Sequence, residues 1–195
     1  MSEDYFFSFK NSIAPSPGRL LISEPYLPDP NFERSVVLMC DHNESGSFGF
    51  VMNKKSPLKL AEVVEDMSGL EADLYIGGPV QQDTLHYIFR GEDLLEDAVE
   101  IAEGLYWGGD YEQLKDMISM NRIDPADFRF FVGYSGWGQG QLEEEIESNS
   151  WIVSPGLALN LLLDTKSDDL WKIVLENMGG KYEMFSRYPE DPRLN

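Results

Sequence analysis

Short apolar runs separated by polar turns make up most of the chain, and they predict a protein rich in β-strands. Apolar or alternating residues predict strands at 19–23, 35–40, 48–53, 73–76 and 84–90. A further extended segment is predicted at 99–107, and a β-rich run at 128–134. The polar segment 41–46 is short enough to join the second and third strands as a hairpin.

Four segments instead space their apolar residues as helices do, and we place their starts at Ser56, Asp110, Gln141 and Ser167. Ser56 supplies an N-cap hydroxyl, and Pro57 suits the first helical position. Asp110, followed three residues later by Gln113, resembles a capping box. The last helix should stop at Gly179, because glycine commonly ends helices.

The order of these elements predicts a single α+β domain that spans residues 1–195. Strands outnumber helices, and the first strands are joined by links of hairpin length. This favours a largely antiparallel or mixed sheet over a doubly wound nucleotide-binding fold. No repeat, low-complexity tract or change in composition marks a second domain. We expect residues 1–17 to form an N-terminal arm and the chain beyond residue 182 to form a loop.

The charge is strongly acidic: 35 acidic against 15 basic side chains give a net charge of −20. This field opposes DNA and RNA, so we expect no direct nucleic-acid ligand. We expect a protein partner instead, and a basic one would match the acidic charge. The chain has one cysteine, no basic and apolar leader, and no apolar run of about 18 residues. These features predict a reducing, cytoplasmic location with no membrane-spanning helix.

The segment 133–140 is the most distinctive part of the chain, since every second or third residue in it is glycine and it also carries Trp137. Glycine lets the backbone approach other groups closely, so we predict a tight strand-to-helix turn. Two interpretations stay open. Trp137 packs beneath the turn, or it forms with Tyr134 a surface that binds a protein or a small uncharged ligand. A phosphate is disfavoured, because Glu143 and Glu144 compete for the same helix end.

No catalytic constellation is complete in the sequence. The pattern around Ser135 lacks the last glycine of a nucleophile elbow, and both histidines of the chain precede it. Cys40 and His42 lack the further ligands of a zinc site, so we expect neither a metal nor a cofactor. One enzymatic alternative stays open: a hydrolase in which Glu143 or Glu145 works with His42.

Several strings that occur in a fixed order resemble one bacterial family. They are 18–23, 32–36, 77–80, 133–137, 140–143 and 181–195. Their combination is similar to the AlgH/YqgE family. The resemblance implies a bent mixed sheet that forms a pseudo-barrel flanked by helices, and it implies no established chemistry. Members are often labelled transcriptional regulators. The gene often lies beside one for a resolvase-like nuclease, so the resemblance implies a basic protein of that kind as a candidate partner.

These arguments predict a non-enzymatic regulatory or interaction protein that acts through a surface for a protein or a small ligand. The candidate binding residues are Arg34, His42, Asn53, Gly78, Tyr134, Trp137, Gln141 and Glu145. For three of them a structural role is the alternative: Arg34 would form an ion pair, Asn53 a turn, and Gly78 a strand end with unusual backbone angles. The alternatives are the hydrolase and a transcriptional regulator that acts through a protein partner, without contacting DNA.

Overall fold

The structure is a computed structural model that describes residues 9–91 and 94–190. Parts of the predicted arm and tail therefore lie outside the described residues. The described strands are β1 Leu20–Ser23, β2 Val36–Asn43, β3 Gly46–Val51, β4 Lys55–Lys59, β5 Asp73–Ile76, β6 Val80–Arg90, β7 Val99–Ala102, β8 Leu105–Trp107, β9 Phe128–Gly138 and β10 Trp151–Ser154. The described helices are α1 Leu60–Val63, α2 Tyr111–Ser119, α3 Gln141–Glu147, α4 Leu159–Asp164, α5 Ser167–Met178 and α6 Gly180–Phe185.

The described strands form one open sheet, in the order β10-β1-β2-β3-β9-β6-β8-β7, with β4 and β5 attached beside β9. Neighbouring strands run antiparallel, except that β5 runs parallel to β9. The predicted α+β class with a mixed sheet is therefore confirmed. Two residues join β2 to β3, as predicted, but residues 24–35 separate β1 from β2, so the predicted hairpin-length link is wrong there. The chain between the parallel strands β5 and β9 contains β6, β7, β8 and α2.

Strand β9 organises the sheet, because it changes its partners halfway along. Its first half, through Val132, lies between β5 and β6, and its second half, from Ser135, pairs with β3. The change occurs at Gly133, whose φ is +67°. A Cβ at this position would lie 2.7 Å from the carbonyl oxygen of Gly78 and 2.8 Å from that of Val80. Only glycine fits such a junction without strain.

The glycine-rich segment 133–140 is mostly strand, so the predicted tight turn is wrong over most of its length. Its residues through Gly138 continue β9, and the turn is confined to the two residues before α3. Close strand pairing instead explains Gly133 in this segment and Gly46 in the partner strand. A Cβ on Gly46 of β3 would lie 2.4 Å from the carbonyl oxygen of Trp137. Gly140, with φ of +73°, then starts α3.

The helix predicted from Ser56 is also wrong at its start, because Ser56 and Pro57 belong to β4. Lys55 and Lys59, at the two ends of β4, both pair with Asp73 of the neighbouring strand β5. These contacts hold the segment extended. Helix α1 begins only after Lys59, whose backbone N–H donates to the Glu62 carboxylate at 2.7 Å.

The other predicted elements are confirmed with smaller differences. Asp110 caps α2 by accepting from the backbone N–H of Gln113 at 2.7 Å. The Gln113 side chain does not complete the capping box, because it accepts from the backbone of Glu96. Segment 99–107 is a hairpin, and α5 ends at Gly179 as predicted. The patterns missed β10, α4 and α6, and α6 replaces the loop predicted beyond residue 182 through Phe185.

Three apolar clusters cover the sheet. The largest joins β1, β2 and β3 to helices α4, α5 and α6 and includes Phe50, Phe131 and Trp171. A second lies between β5, β6, β9 and α2. The third lies beneath α3 and contains Trp137 and Trp151. The paired strands β2, β3 and β9 therefore separate the first cluster from the third. The two sites described next lie on the two faces of these strands.

Candidate functional site

An open pocket of about 590 Å³ lies where the β2–β3 hairpin meets strands β6, β8 and β9. One part of its lining is polar and comes from the hairpin: Asp41, Asn43, Ser45, Gly46 and Ser47. The remainder comes from β3, β6, β8 and β9: Phe48, Val80, His86, Trp107, Tyr134, Gly136 and Trp137. A pocket of this size holds a small molecule or a large side chain.

The register of the sheet explains which side chains reach the pocket. Asp41, Phe48 and Gly136 are paired across β2, β3 and β9, so they lie on one face of the sheet. Tyr134, two residues before Gly136, lies on that face as well. Gly136 lacks a side chain, and this leaves space beside the Tyr134 ring, which a Cβ on Gly136 would approach to 3.1 Å.

Aromatic rings form a continuous wall of the pocket. The Phe48 ring packs edge-on against Trp107, with centroids 4.9 Å apart, and against Tyr134 at 6.1 Å. The His86 ring lies 5.8 Å from Tyr134 and 6.5 Å from Trp107. None of these four rings is fully buried. Phe48, Trp107 and Tyr134 pack against the first apolar cluster and stay partly exposed. Partly exposed aromatic rings at a pocket favour a binding surface.

His86 is neutral near neutral pH, because burial lowers the pKa of its imidazole below the ordinary value. The Thr84 hydroxyl donates to the carbonyl oxygen of Gln81 at 2.7 Å. That hydroxyl, with its proton used, accepts from His86 Nε2 at 3.0 Å. The proton of His86 is therefore on Nε2, and Nδ1 is an acceptor.

Asp41 supplies the charge of the pocket. Its Oδ1 accepts from the backbone N–H of His42 at 2.8 Å, and its Oδ2 accepts from the Asn43 side chain at 2.9 Å. An ionised carboxylate can accept about four hydrogen bonds, so further capacity remains. Within the described ranges, no lysine or arginine lines the pocket. The pocket is therefore aromatic and anionic.

The opposite face of the same strands carries a fully bonded polar cluster, which we call the indole–carboxylate cluster: Trp137, Gln141, Glu145 and Trp151. Glu145 Oε2 accepts from the indole N–H of Trp137 at 2.9 Å and from that of Trp151 at 2.8 Å. Glu145 Oε1 accepts from the Gln141 side chain at 2.9 Å, and Gln141 Oε1 accepts from the backbone N–H of Gly138 at 3.0 Å. The cluster fixes α3 against the sheet.

Trp137 is a core residue, since only 5% of its surface is exposed. It contacts the rings of Phe32 and Trp151. Of the two interpretations that the sequence left open for this side chain, packing is the one that the structure shows. The predicted surface thus separates into two parts: the Tyr134 ring faces the pocket, whereas the side chains of Trp137, Gln141 and Glu145 hold α3 in place, although Trp137 also contributes to the lining.

His42 lies next to the cluster, between a hydroxyl and a carboxylate. Its Nδ1 is 2.7 Å from Ser47 Oγ, and its Nε2 is 3.6 Å from Glu143 Oε1. Glu145 is not available to work with His42 in a hydrolase, because its carboxylate already accepts from two indole N–H groups. The combination of His42 with Glu143 is present, and it includes a serine that the sequence argument did not single out.

Arg34 and Asn53 have structural contacts. Arg34, at φ +46°, donates to the carbonyl oxygen of Tyr188 at 2.6 Å and lies over the Trp171 ring at 4.7 Å. It therefore ties the C-terminal segment to the sheet, in place of the predicted ion pair. Asn53 bridges two backbone groups: it accepts from Val36 N at 2.9 Å and donates to the carbonyl oxygen of Arg34 at 2.8 Å.

Gly78 has the unusual backbone angles that its position at a strand end predicts, with φ of +154°. A Cβ there would lie 2.3 Å from the carbonyl carbon of Tyr134 and 2.4 Å from the backbone nitrogen of Ser135. Its close approach lets β6 cross beside β9. It does not line the pocket, so it acts on the site only through the backbone that positions Tyr134.

Most pocket residues were not among the predicted site residues, and these include Asp41 and three rings of the wall, Phe48, His86 and Trp107. Each of these rings was assigned to a strand or an extended segment, and nothing in its local pattern distinguishes it from a core residue. Trp107 precedes two glycines with positive φ, Gly108 and Gly109, which end β8 at the pocket. An aromatic residue directly before such a pair was the available signal.

Two further observations concern the described residues. In residues 9–91 and 94–190 no group of three or more His, Cys, Asp or Glu side chains could hold a metal ion. No helix in these ranges is both long and apolar enough to cross a bilayer.

The fold and the site together define an α+β domain with an open mixed sheet and an aromatic, anionic pocket at one end of that sheet. A family model described as AlgH-like (DUF179) matches residues 20–183. The chain belongs to this AlgH-like family, as its sequence strings predict.

Its relatives and structural neighbours agree with this assignment. A UPF0301 protein of Cytophaga hutchinsonii is 48% identical and covers 91% of this chain and 98% of its own length. A UPF0301 protein of Bacteroides thetaiotaomicron is 42% identical and covers 100% and 99%. The solution structure of the AlgH protein from Pseudomonas aeruginosa superposes with a TM-score of 0.70 at 27% identity, covering 93% of this chain and 98% of that one. A crystal structure from Corynebacterium diphtheriae gives 0.75 at 25%, covering 92% and 95%.

Proposed function

We propose that the protein is a non-enzymatic regulatory or interaction protein that binds a partner protein through the aromatic pocket. The observation that carries this proposal is the wall formed by Phe48, Trp107 and Tyr134, which contact each other and stay partly exposed. Aromatic side chains at such positions are the residue types that contribute most to protein binding.

Polar atoms that lack partners support the same reading. The described part of the chain supplies no hydrogen-bond acceptor for the Trp107 indole nitrogen and no partner for the Tyr134 hydroxyl. The other three tryptophans all donate their indole N–H groups within the protein. Trp and Tyr side chains combine a large apolar body with a polar tip, so a bound group could satisfy both atoms.

The charge indicates the kind of partner. A protein with a net charge of −20 and a pocket rimmed by Asp41 attracts a basic surface and repels nucleic acid. Any effect on transcription would then pass through the partner and would not require contact with DNA. A basic nuclease encoded nearby, which the family resemblance implies, has the required charge.

Capture of the tagged protein from its own cells at low salt tests this proposal. The chain is compared with a variant that carries both Trp107→Ala and Tyr134→Ala, and with Glu144→Ala as an exposed, acidic control on α3. We expect one basic protein to be retained by the parent chain and the control and lost from the pocket variant. Binding is then repeated with both purified proteins, because capture alone does not show direct contact.

Equal retention by the folded pocket variant would show that the partner docks elsewhere. Folding of each variant is checked first by the midpoint of urea unfolding. Trp107 and Tyr134 are only partly buried, so the variant should keep most of its stability.

A second candidate function, a hydrolase, is favoured by the series Ser47, His42 and Glu143. Ser47 Oγ lies at hydrogen-bond distance from His42 Nδ1, at 2.7 Å, and the carboxylate lies on the far side of the imidazole. A histidine between a hydroxyl and a carboxylate can act as the base that activates the hydroxyl. The 3.6 Å between His42 and Glu143 is longer than a hydrogen bond, so the series would have to tighten when a substrate binds.

Release of p-nitrophenol from short-chain esters tests the hydrolase. If Ser47 is the nucleophile, the parent chain should show turnover that Ser47→Ala and His42→Ala abolish and that Ser148→Ala retains. Turnover that survives Ser47→Ala would exclude this series, and lack of turnover by the parent chain would leave the binding function alone.

A further inference from the structure

The pocket has a more specific chemistry than an aromatic surface alone, and it rests on the binding function proposed above. Its wall consists of the rings of Phe48, Trp107 and Tyr134, and its rim carries the Asp41 carboxylate. We propose that this pocket binds a guanidinium group, presented by an arginine side chain of the partner protein.

The ring arrangement favours a flat cation. The Phe48 ring lies 4.9 Å from Trp107 and 6.1 Å from Tyr134, and its plane crosses theirs at 62° and 80°. The rings therefore line the pocket with both faces and edges, and a flat cation can lie against one ring face. A guanidinium group is planar and weakly hydrated, and it stacks on aromatic faces more readily than the ammonium of lysine.

The carboxylate has the capacity to complete this recognition. Asp41 already accepts one hydrogen bond on each oxygen, from the His42 backbone and from the Asn43 side chain. These two bonds fix the orientation of the carboxylate. The lone pairs that remain suit the paired N–H groups of a guanidinium, which bind a carboxylate in parallel.

The charges of the pocket disfavour an anionic ligand. Among the described residues, the pocket contains no lysine or arginine that could hold an anion. His86 is neutral near pH 7, because burial lowers the pKa of its ring, so it does not oppose a cation. Glu44, in the turn of the same hairpin, adds a further negative charge beside the rim. A nucleotide or phosphate would meet only repulsion here.

The tryptophans make this inference directly measurable. Three indole N–H groups are engaged: those of Trp137 and Trp151 with Glu145, and that of Trp171 with the carbonyl oxygen of Ser23. Only Trp107 lines the pocket without an acceptor in the described ranges. Its indole signal in a ¹⁵N-correlated spectrum, assigned from the spectrum of Trp107→Phe, therefore reports on occupancy of the pocket.

The experiment titrates the full chain with three blocked tripeptides that differ at the central residue: arginine, citrulline or lysine. Citrulline keeps the planar shape of arginine and removes its charge. We expect the arginine peptide to move the Trp107 signal saturably, with a dissociation constant on the order of 1 mM. Citrulline should bind at least about tenfold more weakly, and lysine should bind more weakly than arginine. The signals of the other three indoles should stay in place.

Asp41→Asn is the matched variant, because asparagine can still accept from the His42 backbone, although it loses the hydrogen bond from the Asn43 side chain. It should weaken arginine binding about tenfold and leave the weak citrulline binding unchanged. Equal binding of arginine and citrulline, or an unchanged affinity in Asp41→Asn, would overturn the guanidinium assignment. So would the absence of any shift with all three peptides.

These failures are distinguishable from failure of the proposed function. If a partner is captured from cells and lost from the Trp107 and Tyr134 variant, but arginine does not bind, the pocket is the interface and its ligand has a different chemistry. If arginine binds and no partner depends on the pocket, the ligand is a free small molecule with a guanidinium group.

Discussion

The two faces of the β3–β9 pair carry similar side chains that differ in burial and in hydrogen bonding. On the α3 side, Trp137 is 5% exposed and its indole N–H donates to Glu145. On the pocket side, Trp107 is partly exposed and has no acceptor in the described part of the chain. Both faces combine aromatic rings with a carboxylate. The difference is that the polar side-chain groups of the indole–carboxylate cluster bond to each other and to Gly138, whereas on the second face Trp107 has no acceptor among the described residues and Asp41 keeps spare acceptor capacity.

This contrast teaches how to separate a structural aromatic residue from a binding one. Burial alone is not sufficient, because a half-exposed ring can still be part of the fold. The hydrogen-bond partners of its polar atoms are more informative, since a buried donor is costly to leave unpaired and a solvent-accessible donor is not. By this criterion the indole–carboxylate cluster stabilises the fold, and the pocket is the site that we propose.

The sharpest test replaces one tryptophan on each face. Trp137→Ala should lower the free energy of unfolding by about 4 kcal/mol, because it opens a cavity among Phe32, Trp151 and α3. Trp107→Ala should cost about 2 kcal/mol, less than Trp137→Ala because part of the ring faces water, yet it should abolish binding in the pocket. Urea unfolding measures the first effect and the peptide titration the second. Equal losses of stability would remove the distinction between the faces.

The second test removes the acceptor shared by the two buried indoles. Glu145→Ala leaves the N–H groups of Trp137 and Trp151 without their partner and should destabilise the protein by about 3 kcal/mol. Glu144→Ala, on the neighbouring position of α3, should stay within about 0.5 kcal/mol because its side chain is exposed. The same urea series reports both. A neutral Glu145→Ala would mean that water replaces the carboxylate, and that α3 is held by apolar contacts alone.

The third test compares a glycine that builds the sheet with one that leaves the pocket open. Gly78→Ala places a Cβ against the backbone of Tyr134 and Ser135 at positive φ, and it should cost about 2 kcal/mol. In Gly136→Ala the nearest atom belongs to the Tyr134 ring, which can shift, so stability should change by less than about 1 kcal/mol. Gly136→Ala should still weaken peptide binding, since the new methyl group occupies pocket volume.

Much of the fold was predictable because its signals are local. The hairpin β2–β3, the cap at Asp110 and the end of α5 at Gly179 each follow from a few adjacent residues. The segment 133–140 failed for a physical reason. Glycine signals only that the backbone has unusual freedom, and close strand pairing uses that freedom as well as a turn does. Which use applies depends on Gly46, far away in the sequence.

The candidate site was less predictable, because it is assembled by register over long range. Tyr134 was among the predicted residues, but the other rings of the wall lie in segments that were predicted only as strands or extended chain. The roles of Trp137 and Glu145 depend on Trp151, in a strand that the pattern did not indicate. The sequence supplied the residue types, and only the pairing of β3 with β9 decides which face each one occupies.

The smallest predicted effect concerns the protonation of His86 in the pocket wall. Burial lowers the pKa of His86 in the folded state below the ordinary 6.5, so between that lowered pKa and 6.5 the unfolded chain binds more protons. Stability should therefore rise with pH across this window and level off above it. His86→Gln removes the titrating group and should flatten this part of the profile, while carboxylates common to both chains cancel in the difference. Because the ring is only half-buried, the difference should stay below about 1 kcal/mol. Midpoints of urea unfolding from pH 5 to 8 measure this difference. Parallel profiles of the parent chain and His86→Gln would show that His86 has the same pKa in the folded and unfolded chains. The pocket would then be more hydrated than its wall of rings implies.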